Sequence, residues 1–163
     1  MPDLQINWKS CPFDDLTLRE LHEILRLRVD IFVVEQNCPY PEVDGKDPGA
    51  IHLQGTNANA ELLAYTRILA PGVSYPEVSI GRVAIHPRGR GGGLGHALMD
   101  ESLRVVQSQW GDVPIRISAQ SHLEGYYQRH GFEGTGKRYL EDGIPHMEML
   151  RAPAGAIPAE TGP

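Results

Sequence analysis

Glycine and arginine residues are concentrated in one stretch of the chain, RVAIHPRGRGGGLGHALM, at residues 82–99. Five glycines fall within residues 89–95, and Arg88 and Arg90 are interleaved with them. Glycine permits positive φ angles and lets a ligand approach backbone N–H groups closely. A helix that starts after the glycines adds free N–H groups and the positive end of its dipole. This combination suits a pyrophosphate, and the alternative is a flexible loop that leads into a helix.

Two known phosphate-binding motifs do not match this loop. A P-loop requires Gly-x-x-x-x-Gly-Lys-Ser/Thr, and no lysine follows these glycines. A dinucleotide fingerprint requires Gly-x-Gly-x-x-Gly near the first strand of the chain, whereas Gly91 and Gly93 are followed by His96. A nucleotide-binding α/β domain, which would bind ATP or NAD, therefore has no motif to support it.

The strand that precedes the glycines changes phase. Val78 and Ile80 are apolar in one phase of the alternation, and Val83 and Ile85 are apolar in the other. Because side chains in a strand alternate with a period of two residues, this change requires an inserted residue. We predict a glycine-containing β-bulge where Gly81 is followed by an arginine, since bulges occur beside functional sites. A strand buried on both faces is the alternative.

Hydrophobic periodicity predicts the elements that position the loop. The predicted strands are residues 4–8, 50–55, 60–69, 77–85, 113–120, 132–140 and 144–151. The predicted helices are residues 15–29, 93–108 and 122–131. Thr17 and Glu20 have the spacing of a capping box at the start of the first helix. This order predicts a mixed α/β sheet with helices on both faces.

The composition limits the class of protein. The chain has 163 residues, enough for one domain with its own core, and a formal charge of −6. The acidic charge argues against non-specific nucleic-acid binding, and no apolar run is long enough to span a membrane. Residues 1–10 lack the apolar region of a signal peptide, so we expect a cytoplasmic protein in which Cys11 and Cys38 are reduced. Residues 1–151 are predicted to form the domain, and residues 152–163 a disordered tail.

The acidic segment EVDGKD, residues 42–47, resembles part of a calcium-binding loop only superficially. It lacks the Asp/Asn spacing and the closing Glu of an EF-hand, so we predict no metal. We interpret it as a turn whose acids attract a cationic acceptor. His52 stands in an apolar strand and is interpreted as a core histidine with satisfied hydrogen bonds.

Two motifs together resemble the GNAT N-acetyltransferases. In that family, Gln/Arg-x-x-Gly-x-Gly/Ala follows a bulged fourth strand and binds acetyl-CoA, and this chain has RGGGLG at residues 90–95. One strand later the family has a short helix that carries a tyrosine and ends in Gly-Phe. Here YYQRHGF places Tyr127 four residues before Gly131. The segments LRLRVDIFVVEQNCPYPEVDGKD, AQSHLEGYYQRHGF and EDGIPHMEML further resemble the ElaA-like branch of the family.

The resemblance implies a fold and a reaction. The fold is a mixed, mostly antiparallel sheet of about six to seven strands, with helices on both faces and a bulged fourth strand. The reaction is acetyl-CoA-dependent N-acetylation, in which a primary amine of a small molecule or a protein attacks the thioester directly. A non-catalytic acetyl-CoA sensor or interaction module is the alternative, and Tyr127 favours the enzyme. The composition and the motif spacing predict no nucleic acid, membrane or metal, and the resemblance leaves the amine and a homodimeric state open.

The resemblance also assigns the cofactor-binding positions and the general acid. The expected cofactor-binding residues are Val83, Ala84, Ile85, Arg88, Arg90, Gly91, Gly92, Gly93, Leu94, Gly95 and Gln120. Tyr127 matches the family's general acid, which protonates the departing thiolate. Tyr126 is the alternative because it is adjacent, and the spacing to Gly131 favours Tyr127.

The general base and the acceptor-binding residues are less directly indicated. Glu77, at the start of the bulged strand, is the first candidate for the base, and Glu35 is the second. A solvated surface carboxylate is the alternative for each. Glu35 is expected near the acceptor amine because its segment would roof the acceptor site. His146 is expected there because the last strand starts beside Gln120 and Tyr127. For His146 a structural hydrogen bond is the alternative.

Overall fold

Seven strands of the computed structural model, which describes residues 5–155, form two antiparallel sheets. Strands β1 (Asn7–Pro12), β2 (Ile51–Thr56), β3 (Leu62–Leu69) and β4 (Ser79–Ile85) pair in that order to form the first sheet. Strands β5 (Ile115–Gln120), β6 (Phe132–Glu141) and β7 (Ile144–Arg151) form the second, with β7 in the middle. The predicted mixed, mostly antiparallel α/β architecture is confirmed.

The first strand lies further along the chain than predicted. Alternation predicts a strand at residues 4–8, whereas β1 spans Asn7–Pro12, and residue 4 lies outside the described residues. Cys11 is the one buried residue of this edge strand. Pairing with β2 rather than a hydrophobic face therefore sets its extent, and alternation is a weak guide to such a strand.

Three α-helices are found in the described part of the chain, α1 (Leu18–Val29), α2 (Leu94–Trp110) and α3 (Glu124–Gln128). The predicted capping box is present, since the Glu20 N–H donates to Thr17 Oγ1 at 3.0 Å and the Thr17 N–H donates to Glu20 Oε1 at 2.9 Å. A π-helical segment, Asp30–Glu35, continues α1. Within residues 5–155, no helix combines the length and the apolar character needed to cross a membrane.

Helices α1 and α2 pack on opposite faces of the first sheet. Tyr65 of β3 clusters with Ile24 and Leu27 of α1. Ile68, further along the same strand, clusters with Met99 of α2. The prediction of helices on both faces of the sheet is therefore confirmed.

The fourth strand contains the predicted bulge. Arg82 and Val83 together lie opposite the single residue Thr66 of β3, so β4 carries one extra residue. The positive φ angle of the bulge, 51°, belongs to Arg82 and not to Gly81. A non-glycine residue in this conformation is unusual and strained, so its side chain must be held by contacts that offset the strain.

The two sheets join at one point in the described structure. Val78 and Ile115 form an isolated parallel bridge, and the Arg116 N–H donates to the Val78 carbonyl at 2.9 Å. Beyond this bridge β4 pairs with β3 and β5 pairs with β7, so the two strands diverge. The bulge lies in the diverging half of β4.

The segment after β7 is anchored where it is described. The backbone N–H groups of Ala154 and Gly155 donate to the two carboxylate oxygens of Asp112 at 2.7 and 2.8 Å. Residues 152–155 of the predicted disordered tail are therefore attached to the domain. Residues 156–163 lie outside the described residues.

The loop between α1 and β2 is anchored to the core by a buried arginine. The Arg28 side chain is fully buried, and its Nε and Nη1 atoms lie 2.6 Å from Glu42 Oε2 and 2.7 Å from Asp47 Oδ1. Burial alone would raise the pKa of Asp47, but hydrogen bonds from Arg28 and Arg67 lower it. The carboxylate is therefore ionised, and the ion pairs hold the loop against α1.

Two further arginines complete this network on the strand side. Arg67 of β3 pairs with Asp44 at 2.8 Å and with Asp47 at 3.0 Å. Arg82 of the bulge pairs with Glu42 through Nε at 2.7 Å. The acids of residues 42–47 are thus neutralised by arginines of this chain. The interpretation of that segment as an attractor for a cationic acceptor was wrong.

We expect the substitution Arg28→Met to lower the free energy of unfolding by about 3 kcal/mol, because it leaves buried carboxylates with fewer counter-charges. The expected loss is not larger, since Arg67 and Arg82 still face them. Urea denaturation measures the change. The matched control is Arg26→Met, on the same helix, whose exposed side chain lies 4.0 Å from Asp30. It should cost about 0.5 kcal/mol or less, and equal losses in both variants would contradict the assignment.

Candidate active site

A cleft of about 850 Å³ opens where β4 and β5 diverge. Its walls come from β4, β5, α3, the segment that follows α1 and the turn between β6 and β7. Val83, Ile85, Arg90, Gly95 and Gln120, all predicted cofactor-binding residues, line it. Residues of the glycine-rich segment and of the second sheet therefore line the same cavity, which lies between the diverging strands.

The glycine-rich segment forms an open cradle of backbone groups at the start of α2. Gly91 and Gly93 have φ angles of 89° and 81°, and Gly93 is the N-cap of α2. Apart from the glycine itself and its two chain neighbours, no described residue has an atom within 4 Å of where a Cβ would stand on Gly91, Gly92 or Gly93. Within residues 5–155, no backbone or side-chain acceptor binds the N–H groups of these three glycines. Leu94 adds a first-turn N–H group without an intrahelical partner.

The remaining predicted cofactor residues have different surroundings. The side chain of Leu94 is buried against α2 and β3, and Ala84 is buried on the α1 face of β4. Arg88 is exposed and pairs with Glu61. These three residues do not line the cleft with their side chains, so any contact of Leu94 or Ala84 with a cofactor would be through the backbone.

Arg90 joins two of the predicted residues across the cleft. Its Nη1 and Nη2 atoms donate to Glu35 Oε2 and Oε1 at 2.7 and 2.9 Å, and its Nε donates to the Ile85 carbonyl at 3.1 Å. The hydrogen bonds from Arg90 lower the pKa of Glu35. Glu35 therefore lies on the cleft as an ionised carboxylate with a counter-charge, which makes it a poor acceptor for a proton.

The two adjacent tyrosines of α3 have different hydroxyl environments. The Tyr126 hydroxyl donates to the Gly95 carbonyl at 2.6 Å. The Tyr127 ring is buried edge-on against Phe132, with 6% of the residue exposed, and the residue lines the cleft. In the described structure no hydrogen-bond partner occupies the Tyr127 hydroxyl, whose pKa burial raises to about 12. The free and protonated hydroxyl is that of Tyr127.

Glu77, the first candidate for the general base, is placed away from the cleft. Its two carboxylate oxygens accept hydrogen bonds from Arg116 Nε and Nη2, both at 2.9 Å, and it does not line the cavity. These hydrogen bonds lower the pKa of Glu77. The bulge lies further along β4, so the divergence of β4 and β5 carries the cleft away from Glu77.

His146 and Gln120 lie opposite each other on β7 and β5, and both line the cleft. The Gln120 side chain donates to Gln36 Oε1 at 3.3 Å. His52, in contrast, is fully buried with its ring nitrogens 2.7 Å from the Tyr65 hydroxyl and 2.9 Å from the Asp47 carbonyl. The interpretation of His52 as a satisfied core histidine is confirmed.

Sequence reasoning missed the arginines of the buried network. A signal was present, because Arg28 lies four residues after Ile24 on the buried face of α1, and Arg67 interrupts the apolar run of β3. A charged residue at a position that the hydrophobic pattern places in the core requires a buried partner of opposite charge. The partners lie in a loop without periodicity, so they could not be assigned from the pattern.

The residues 48–152 match the family model described as the acetyltransferase (GNAT) domain. The chain belongs to the GNAT family. The protein ElaA of Escherichia coli is 40% identical over 152 residues, which cover 90% of this chain and 96% of ElaA. The crystal structure of ElaA has a TM-score of 0.84 and covers 90% of this chain and 99% of that chain. An acyl-CoA N-acyltransferase from Pseudomonas aeruginosa is 46% identical, with a TM-score of 0.86 over 91% of this chain and 100% of that chain.

Family membership confirms the expected ElaA-like GNAT fold and makes acyl transfer the general reaction class. GNAT proteins use acyl-CoA as their donor, and the glycine cradle and the bulge fit such a molecule. Open space above Gly91, Gly92 and Gly93 leaves their N–H groups accessible to phosphate oxygens. The bulge, which lies next to the cradle, leaves backbone groups of β4 without hydrogen-bond partners on β3.

The strained conformation of Arg82 generates a stability prediction. Arg82→Ala and Arg82→Gly both remove the ion pair with Glu42, but only glycine adopts a positive φ without steric cost. We therefore expect Arg82→Gly to be more stable than Arg82→Ala by about 1 kcal/mol. In an ordinary strand position the order is the reverse. Thermal and urea denaturation of both variants measure the difference, and a more stable alanine variant would rule out the left-handed conformation.

Proposed function

We propose that this chain is an acetyl-CoA-dependent N-acetyltransferase that acts on a primary amine by direct attack on the thioester. The observation that carries the proposal is the Tyr127 hydroxyl, which faces the cleft without a hydrogen-bond partner in the described structure. Because the hydroxyl has no partner within the described residues and opens to the cleft, it is available to a ligand bound there. The name of the P. aeruginosa relative, an acyl-CoA N-acyltransferase, supports the same reaction class.

The cradle would hold the pyrophosphate of the donor. The N–H groups of Gly91, Gly92, Gly93, Leu94 and Gly95 supply hydrogen-bond donors at the positive end of α2. Arg90 adds a charge once it exchanges its bond to Glu35 for a phosphate oxygen. Arg88, which is exposed and held by Glu61, would contribute at longer range.

The bulged strand would hold the pantetheine arm and the thioester. One edge of β4 from Val83 to Ile85 is open toward the cleft, because β5 has diverged from it. The peptide-like pantetheine arm can take the place of a neighbouring strand there. An N–H group there would polarise the thioester carbonyl and stabilise the oxyanion that forms on attack. Gln120, on the opposite wall, is proposed as a side-chain contact to the arm.

Tyr127 would act as the general acid. Its pKa of about 12 keeps the phenol protonated at neutral pH, so the hydroxyl can donate its proton to the thiolate that leaves. Tyr126 has a different role, because its hydroxyl is bound to the Gly95 carbonyl and thereby connects α3 to the cradle. A sensor without catalysis would not need a free acid at this point, which favours the enzyme over the binding module.

We expect acetyl-CoA to raise the melting temperature of the protein, and ATP and NAD to have little effect, because binding stabilises the native state. Gly93→Val should remove most of the acetyl-CoA shift, since a side chain would occupy the open space above the cradle. Gly111→Val is the matched control, because Gly111 has a φ of 83°, has open space and lies at the other end of α2. A full shift in Gly93→Val would place the phosphates elsewhere.

We expect Tyr127→Phe to lower kcat about 10²-fold without a matching rise in KM, because the hydroxyl acts as the intermediate collapses. This loss is at the low end of the range for general acid catalysis, because water can also protonate the thiolate. Free-thiol release from acetyl-CoA with a panel of primary amines measures it. Tyr126→Phe is the control and should lose less activity, and a larger loss there would assign the acid to Tyr126.

A further inference from the structure

We propose that His146 is the general base that removes a proton from the acceptor ammonium, an inference that rests on the proposed function. Both carboxylates considered for this role are already committed, Glu77 to Arg116 and Glu35 to Arg90. His146 lines the cleft, and its ring nitrogens have two different environments. Those environments determine which nitrogen carries the proton.

One ring nitrogen of His146 is fixed as a donor. Nδ1 lies 2.7 Å from the Ile144 carbonyl oxygen on the same strand. A carbonyl oxygen only accepts hydrogen bonds, so Nδ1 carries the hydrogen. In the neutral ring Nε2 then bears the free lone pair. The backbone contact thus selects the tautomer in which Nε2 is the basic nitrogen.

The ring is also fixed in orientation. It is stacked on Tyr139 of β6 at a centroid distance of 6.1 Å and an interplanar angle of 17°. It stands opposite Gln120 of β5, and 8% of its side chain is exposed. A base that is held on two sides and open to the cleft on a third is positioned for one proton transfer without reorganisation.

Glu141 provides a route for the proton. Its Oε2 atom lies 3.5 Å from His146 Nε2, and 55% of its side chain is exposed. The other titratable groups on this side of the cleft are Tyr139, whose hydroxyl is bound to Ser118, Tyr75, which interacts with Tyr139 and Glu141, Asp142 of the turn, and Cys38, whose thiol contacts the Asp142 carbonyl. Glu141 is the carboxylate that faces Nε2, so it stabilises the imidazolium and passes the proton to water.

In the proposed step, His146 takes one proton from the acceptor and Tyr127 supplies one to the leaving thiolate. The ammonium N–H bond breaks, its proton goes to His146 Nε2, and the electron pair stays on the amine nitrogen. That pair forms the new bond to the thioester carbonyl carbon, which leaves the nitrogen of the tetrahedral adduct with one surplus proton. This proton passes to water as the C–S bond breaks and the amide forms. Tyr127 protonates the sulfur and regains a proton from water, and the imidazolium loses its proton through Glu141, so one proton is released overall.

The first test needs no acceptor. Long-range ¹H–¹⁵N spectra of the labelled protein at neutral pH report which nitrogen of a neutral histidine carries the hydrogen. His146→Asn assigns the signal and retains an amide donor toward Ile144. We expect the Nδ1–H tautomer for His146, and a Nε2–H tautomer would overturn the proposal.

The second test compares pH profiles of kcat/KM for acetyl-CoA and the most active alkylamine of the panel. In the wild-type protein, kcat/KM should stop rising with pH near neutrality, because the enzyme itself removes the proton from the acceptor ammonium. In His146→Asn only the free amine reacts, so activity at pH 7 should fall by about 10² or more and rise about tenfold per pH unit towards the pKa of the amine. A deficit that is constant with pH would show a structural or binding role and would overturn the proposal.

Two variants complete the comparison. His22→Asn, on the exposed face of α1, should retain the wild-type profile. Glu77→Gln tests the rival base, and a profile that loses its plateau in this variant and not in His146→Asn would overturn the proposal. If wild-type protein releases no thiol with any amine, the proposed function fails, and the tautomer measurement still decides the state of His146.

Discussion

The ion pair between Arg82 and Glu42 connects the two parts of the protein on which the site depends. Arg82 occupies the strained position of the bulge, and Glu42 belongs to the loop that Arg28 anchors in the core. The bulge lies in the half of β4 that diverges from β5, and the cleft opens between these strands. The same contact therefore stabilises an unfavourable backbone conformation at the wall of the cavity.

The buried network explains why a loop without periodic structure can form a wall of the site. Glu42, Asp44 and Asp47 are each paired, and the exposed turn that joins them packs against the first sheet through charge rather than apolar contact. Buried ion pairs are costly when incomplete, so they favour one arrangement of the loop over many. Anchoring by buried ion pairs leaves this loop with a defined position at the cleft that it lines.

The sequence predicts those structural features that depend on a local pattern of residue types, and it does not predict those that depend on contacts between distant segments. The capping box at Thr17, the helices on both faces and the bulge in β4 were predictable because each is a local pattern of residue types. The edge strand β1 was displaced because backbone pairing, which leaves no hydrophobic signal, sets its limits. The position of Glu77 was not predictable, since its partner Arg116 is 39 residues away and belongs to the other sheet.

Under the proposed function, the two substrates would be recognised by different kinds of groups. The donor would meet mainly backbone N–H and C=O groups, and glycines that expose a backbone leave a pattern that can be recognised in the sequence. The proposed acceptor side is built from side chains of α3, β5, β6 and β7 and of the loop after α1, which meet only in the folded chain. A backbone site tolerates little change, because a single Cβ fills it, whereas a wall of side chains from separate segments can vary one residue at a time. On the proposed function, the donor site is therefore the feature that relatives are expected to share, and the wall of side chains is the part of this fold that would be free to define the amine.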